Sequence, residues 1–401
     1  MWSAWFAIPF WQRVLGAFVL GISIGLLDAD FAQQLKPLGD LFIKAISMIV
    51  APLIFCAIVS AIVQLQGKQG AAALATKTIG WFLLTAVIAS IIGLIIGSTL
   101  TISPQAELLA AADYQDKLVP SPTEVLLNFI PSNPFAALAQ GNVLQIIVFA
   151  AFIGVAIRQL GEVATPFAAA IQAATQVMFR VTKMVLELTP LGVLGLMAWV
   201  VGHFGLTALL PLGSFIGAIY LACVIHMVLV YGAMVRFGAG MSPLHFFKQV
   251  FSAQLVAYTT CSSYGTLPAA HQAVTEKLGV KASTAGFVLP LGATINMDGC
   301  GGIYPAIAAI FIAQLYGISL DWFDYLLITL TATLASIGTA GVPGTAMVML
   351  TVTLSTVGLP LEGIAFIAAV DRILDMIRTM TNVTGDMAVA VVVDKSNQEV
   401  A

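Results

Sequence analysis

VDRILDMIRTMTNVTGD, residues 370–386, is a polar stretch set in an apolar surround that continues as AVAVVV. It carries Asp371, Asp375, Arg378, Thr379, Asn382 and Asp386. Asp371, Asp375, Arg378, Asn382 and Asp386 recur every three or four residues. At about 3.6 residues per turn they share one face of a helix. Ionisable groups are expensive at membrane depth and turn toward a protein interior or a water-filled site. Three carboxylates, a guanidinium and an amide on one face suit the binding of an ion or a charged solute. A buried ion-pair network with a purely structural role is the alternative at this point.

The rest of the composition puts that helix in a membrane. The chain has 401 residues, 60% hydrophobic and 9% charged, with a mean hydropathy of +1.00. Soluble domains carry about 25% charged residues. Several runs reach the roughly 20 apolar residues that cross a bilayer. The expected class is an all-α polytopic membrane protein. The net charge is −3 and no basic tract invites nucleic acid. Cys56, Cys223, Cys261 and Cys300 lack CxxC spacing and read as free thiols. The aromatic N-terminus MWSAWFAIPFWQR reads as an interfacial lead into the first span, retained in the mature protein.

Apolar spans are expected near 9–27, 38–65, 77–104, 122–160, 165–204 and 207–236, the fourth and fifth with Pro breaks. Segments 246–275, 283–316, 322–356 and 360–394 are apolar but interrupted. Irregular backbone at membrane depth survives only where protein or a water cavity satisfies it. Paired interruptions point to the binding site of a secondary transporter. With the N-terminus inside, Arg13, Lys68, Lys77, Arg158, Arg236, Lys248, Lys277, Lys281 and Lys395 fall at cytoplasmic ends. The acidic segments Asp28–Phe31, Ala106–Asp116 and Asp321–Asp324 then fall outside. The positive-inside rule holds if 246–275 and 322–356 enter and leave on one side, as re-entrant hairpins. That gives eight transmembrane helices, two hairpins from opposite faces, cytoplasmic termini and an inverted repeat, in the cell membrane.

Each interruption has its own chemistry. In CSSYGTLP (261–268), Gly265 and Pro268 are expected to reverse the chain, and Ser262 and Ser263 offer hydroxyls and amides to a carboxylate. In TINMDGC (294–300), a helix break exposes carbonyl oxygens beside Asn296 and Asp298, a hard oxygen cage for an alkali cation. SIGTAGVPGT (336–345) is a glycine-rich turn suited to a lid. In the last segment, Arg378 pairs bidentately with a carboxylate, and Asp375 accepts an ammonium. Together they suit a zwitterion with an extra acidic side chain.

SSYGTLP, ATINMDG, GTAGVPG and DRILDMIRTMTNVTGD together resemble the dicarboxylate/amino acid:cation symporter family. That family includes archaeal aspartate transporter homologues and animal excitatory amino acid transporters. The resemblance runs along nearly the whole chain and implies a glutamate-transporter-like homotrimer in the lipid bilayer, without a cofactor. It implies a scaffold of residues 1–76 and 105–206, and a transport domain of residues 77–104 and 207–401. The transport domain would carry its cargo across the scaffold by elevator-type alternating access.

The resemblance also implies roles. Arg378 holds the substrate side-chain carboxylate and Asp375 its amino group. Thr379 and Asn382 touch the amino group and α-carboxylate. Ser263 holds the α-carboxylate, while Val342 and Gly344 lie in the lid. One sodium site takes Gly292, Asn296, Asn382 and Asp386. A second takes Thr294, Ser336, Ile337 and Thr339, and a third takes Phe82, Thr85, Asn296 and Asp298.

Some positions depart from the pattern. Cys300 replaces a threonine that touches the acidic side chain, and a thiol is a weaker partner. Ala86 lacks the hydroxyl that completes the third sodium site. Cys261 and Met376 stand where relatives place a basic residue at one or the other. Tyr264 is bulkier than the usual tip residue, and GCGGIYPA resembles bacterial cystine carriers. The expected function is cation-coupled uptake of an acidic amino acid, aspartate or glutamate, with Na+ as coupling ion and H+ as the alternative. Cystine, a neutral amino acid or a C4-dicarboxylate on the same fold stays open. An intramembrane enzyme is not expected, because HExxH is missing from the sequence and the four histidines do not pair with an evident nucleophile motif. His203, His226, His245 and His271 are assigned to interfaces or packed helices.

Overall fold

The computed structural model describes residues 8, 10–64, 71–102, 130–336, 345–368 and 370–398. Every regular element among them is helical. α1 (Phe10–Leu27), α2 (Ala29–Gln34) and α3 (Lys36–Gln64) follow one another closely. Asp28 caps α2, accepting from the Phe31 amide at 2.9 Å. After α4 (Ala71–Ser98) come α5 (Pro134–Gln140), α6 (Val143–Leu160), α7 (Thr165–Leu186) and α8 (Thr189–Phe204). The fourth expected span is non-helical at 130–133, around Pro131 and ahead of the Pro134 that starts α5, and breaks again at Gly141, left-handed with φ 69°. The fifth breaks at Glu187–Leu188, just before Pro190 in the first turn of α8. A first-turn proline has no helical N–H to lose, so it starts a helix where it would break a helix interior.

α9 (Pro211–Ile225) continues through two π-wound stretches, His226–Tyr231 and Met234–Gly238. α10 (Pro243–Thr260) then folds back into α11 (Ser263–Gln272). The reversal is not where the sequence suggested. Gly265 and Pro268 lie inside α11, and the chain turns at Cys261, left-handed at φ 53°. Cys261 is the only non-glycine with positive φ among the described residues. Ser262 then caps α11, accepting from the Gly265 amide at 3.0 Å.

α12 (Ala282–Ile295) ends at Asn296 and Met297, which leave helical geometry. The chain resumes as a π-wound turn, Asp298–Ile303, and then α13 (Tyr304–Tyr316). The expected break at NMDG is therefore present. The glycines after it have steric reasons. A Cβ on Gly299 would strike the Arg378 backbone, on Gly301 Ser336, and on Gly302 Ala89. Three helices close on this turn because it has almost no side chains. α14 (Trp322–Ser336) and α15 (Ala346–Val357) pack on each other; neither, at 15 and 12 residues, crosses a bilayer alone. α16 (Ile364–Ala368) and α17 (Asp371–Gln398) complete the chain.

The helices pack in two groups. α1 lies along α8, and α3 against α6, α7 and α8. α4 lies against the 298–303 turn, α13, α14 and α17, while α10, α11 and α12 pack on α17. α15 reaches α3, and α16 reaches α8. Large apolar side chains such as Val19, Met48, Phe152 and Val177 stand exposed on the outside. Among the described residues, four stretches are long and apolar enough to cross a membrane: Leu74–Ser98, Gln145–Thr182, Pro211–Gly238 and Ala282–Tyr316.

Candidate functional site

α17 is surrounded by protein. From Leu374 to Val393 every residue except Met376 and Met380 is buried. Polar atoms there must find partners inside the protein. Helical side chains lean toward the N-terminus, so Arg378 reaches back along its own helix. Its Nη2 donates to Asp371 Oδ1 at 2.8 Å and lies 3.3 Å from Asp375 Oδ1. The guanidinium carbon sits 3.9 Å from the centre of the Tyr304 ring. Arg378 is completely buried, and its Nε and Nη1 find no partner among the described residues. Nε and Nη1 lie on either side of the engaged Nη2, so each can donate singly to a further acceptor. Asp371, to which the resemblance gives no role, is the nearer partner.

Asp375 also accepts from the Thr379 hydroxyl at 3.4 Å, and the Cys300 thiol lies 4.0 Å from it. Asn382 accepts from the Gly299 amide at 2.7 Å and donates toward Cys300 Sγ at 3.3 Å and Met297 Sδ at 3.2 Å. Asp375, Arg378, Thr379, Asn382 and Cys300 are thus one cluster.

A second cluster lies deeper along α17. Asp386 accepts from Asn296 Nδ2 at 2.9 Å, and Asn296 Oδ1 accepts from the Thr85 hydroxyl at 3.4 Å. Gly292 lines the same place: a Cβ there would run into the Asp386 carboxylate and the Phe82 ring. Asp298 is completely buried. Its Oδ2 accepts from the Tyr231 hydroxyl at 2.7 Å and lies 3.1 Å from His226 Nε2. Its Oδ1 has no partner among the described residues. Gly292, Asn296, Asp386, Thr85, Phe82 and Asp298 are brought together as a set of hard oxygens with buried negative charge. Asn382 joins the Cys300 cluster through its side chain, not Asp386.

Three residues of the expected site sit apart from these contacts. Ser263 is buried at the start of α11. The Thr294 hydroxyl pairs with the Tyr264 hydroxyl at 3.1 Å and donates to the Pro290 carbonyl. Ser336 donates to the Thr333 carbonyl at 2.7 Å. Ile337, Thr339, Val342 and Gly344 lie outside the described residues. His226, Tyr231 and Tyr304 were not foreseen. The available signal was an ionisable residue within an apolar run, CVIHMVLVY, which marks a functional position in a membrane span.

Residues 10–396 match the model of the sodium:dicarboxylate symporter family. A curated relative, the C4-dicarboxylate transport protein of Serratia proteamaculans (strain 568), is 36% identical over 396 residues. The match covers 96% of this chain and 91% of the relative. These matches make the chain a multi-pass transport protein rather than an enzyme. With the all-helical fold and the two buried polar clusters in place, the chain belongs to the sodium:dicarboxylate symporter family.

Proposed function

We propose that this symporter takes up an acidic amino acid, aspartate or glutamate, coupled to sodium. The observation that carries the proposal is the buried Arg378, whose Nε and Nη1 are both unmet donors among the described residues, with Asp375 beside it. The unmet donors take the side-chain carboxylate, and Asp375 takes the ammonium. Charge favours a zwitterion. Asp371, Asp375 and Arg378 sum to −1, which an ammonium offsets locally and a plain dicarboxylate does not.

Sodium is assigned to the deeper cluster, with Asp386, Asn296, Gly292 and Thr85 as one oxygen set and Asp298 as part of another. Asn382, Thr294, Ser336, Ile337 and Thr339 stay assigned to cations, and Ser263, Val342 and Gly344 to substrate, on resemblance alone. The two clusters share α17 and the 296–300 break. Asn296 meets Asp386, while Gly299 and Cys300, a few residues on, meet Asn382. A cation that pulls on Asn296 therefore acts on the backbone that lines the substrate cluster. Bound sodium favours the loaded state only through such a difference in affinity.

Packing in two helix groups supports a scaffold of 1–76 and 105–206 and a moving part of 77–104 and 207–401. Elevator movement, homotrimeric assembly and cytoplasmic termini complete the proposal. Transport of a C4-dicarboxylate is the second reading, favoured by the similarity to the Serratia C4-dicarboxylate transport protein. The test is uptake of labelled L-aspartate, L-glutamate, L-cystine and succinate into proteoliposomes, under a sodium gradient and separately under a proton gradient. Sodium-driven aspartate or glutamate uptake is expected. Succinate uptake without amino acid uptake would replace the first reading with the second.

A further inference from the structure

Asp298 and Asp386 are both buried, and their hydrogen-bond partners among the described residues are an imidazole, a phenol and an amide. A carboxylate with a purely structural role is expected to satisfy both oxygens. Asp298 does so on one side only: Oδ2 takes two donors, and Oδ1 takes none among the described residues.

The two donors come from an unusual piece of helix. His226 and Tyr231 are five residues apart, which on an α-helix turns about 140° and separates them. Here residues His226–Tyr231 are π-wound, with bonding at five-residue spacing that widens the turn and brings such a pair closer to one face. The rings meet edge to face, with centroids 4.7 Å apart, and both polar tips reach the same oxygen. Asp298 itself opens the second π-wound turn, Asp298–Ile303. On the far side, a Cβ on Gly385 would strike the Tyr231 hydroxyl and the Asn296 amide. The missing side chain lets α17 close over the arrangement.

We propose that His226 and Tyr231 form a clamp on Asp298. They are positioning residues that fix one carboxylate oxygen, hold the other open, and thereby set the affinity of this cluster for its cation. The proposal rests on the assignment of cations to this cluster. It adds two residues that neither the motifs nor the family match assigns.

The test uses the purified full chain. Sodium is titrated against the thermal unfolding midpoint, which reports binding without transport. Tyr231→Phe and His226→Phe are expected to raise the half-saturating sodium concentration roughly tenfold or more, as loss of a bond to a charged group does. His226→Gln keeps a donor and is expected to stay within about threefold of the parent. Should His226→Phe fail to fold, Tyr231→Phe, which loses one hydroxyl, carries the test. Titrations of both variants that overlay the parent would overturn the clamp. A second readout is the infrared carboxylate band assigned to Asp298 by subtraction of Asp298→Asn. It is expected to shift in Tyr231→Phe, and an unmoved band also overturns the clamp. A shifted band in a parent that shows no sodium response keeps the clamp and overturns the sodium assignment instead.

Discussion

The two polar clusters of α17 handle buried charge in opposite ways. At the Arg378 end, two carboxylates have a guanidinium of their own helix at 2.8 and 3.3 Å. At the Asp386 end, two carboxylates have an amide, a phenol and an imidazole, and no Lys or Arg is paired with either among the described residues. Buried charge without a partner is costly, and cost of this kind is relieved by whatever positive charge arrives. The first cluster therefore keeps a net charge of −1 and two unmet donors on Arg378, and waits for a zwitterion. The second is incomplete and waits for cations. A symporter needs both: one site shaped for its cargo, and one whose charge is balanced only when the coupling ion is present.

Arg378→Ala gives the largest expected effect. It strands Asp371 and Asp375 in the interior, a loss of about 3–5 kcal/mol of the kind seen when one partner of a buried pair is removed. Thermal stability should fall and binding of acidic substrate should disappear, as read by calorimetry. Unchanged aspartate affinity would remove Arg378 from the substrate site.

Asp386→Asn should behave differently. Sodium should bind at least tenfold more weakly, a change of roughly 1.4 kcal/mol or more. The sodium-free protein should become more stable, because one uncompensated charge is gone and the amide still accepts from Asn296. A fall in sodium-free stability would break the contrast, since it would mean that Asp386 already has a countercharge.

Gly292→Ala is expected next. Its Cβ would press on Asp386 and Phe82, at a cost of about 1–3 kcal/mol typical of overpacking. The sodium titration should weaken while aspartate affinity at saturating sodium holds. Equal loss on both axes would mean that the clusters are one site.

Much of this was visible in the residues. The spacing of Asp371, Asp375, Arg378, Asn382 and Asp386 fixed a polar helix face, because helical period is local. The helix break at NMDG was legible from polar groups inside an apolar span. What was missed depends on winding and on contacts between distant segments. Nothing in CVIHMVLVY announces a π-wound turn, so His226 and Tyr231 could not be placed on one carboxylate. The hairpin reversal was assigned to Gly265 and Pro268 by residue preference, whereas the capping of α11 by Ser262 put the left-handed residue at Cys261. The pairing of Arg378 with Asp371, seven residues back, needed the side-chain direction as well as the spacing.

The smallest expected effect bears on where the second cluster ends. Tyr264, on the hairpin, joins its hydroxyl to Thr294 at 3.1 Å, two residues before Asn296. Tyr264 is 37% exposed, so water competes for this bond. Its loss in Tyr264→Phe is worth about 0.5 kcal/mol, the low end for a hydrogen bond. The half-saturating sodium concentration should then move by about twofold, far less than in Asp386→Asn. Thr294 would keep its bond to the Pro290 carbonyl and no buried charge would change, which is why the shift stays small. A tenfold change would mean that the hairpin tip takes part in holding the cation. The charge-poor cluster would then extend from α17 across α12 to Tyr264, and the separation between the two ends of the site would narrow accordingly.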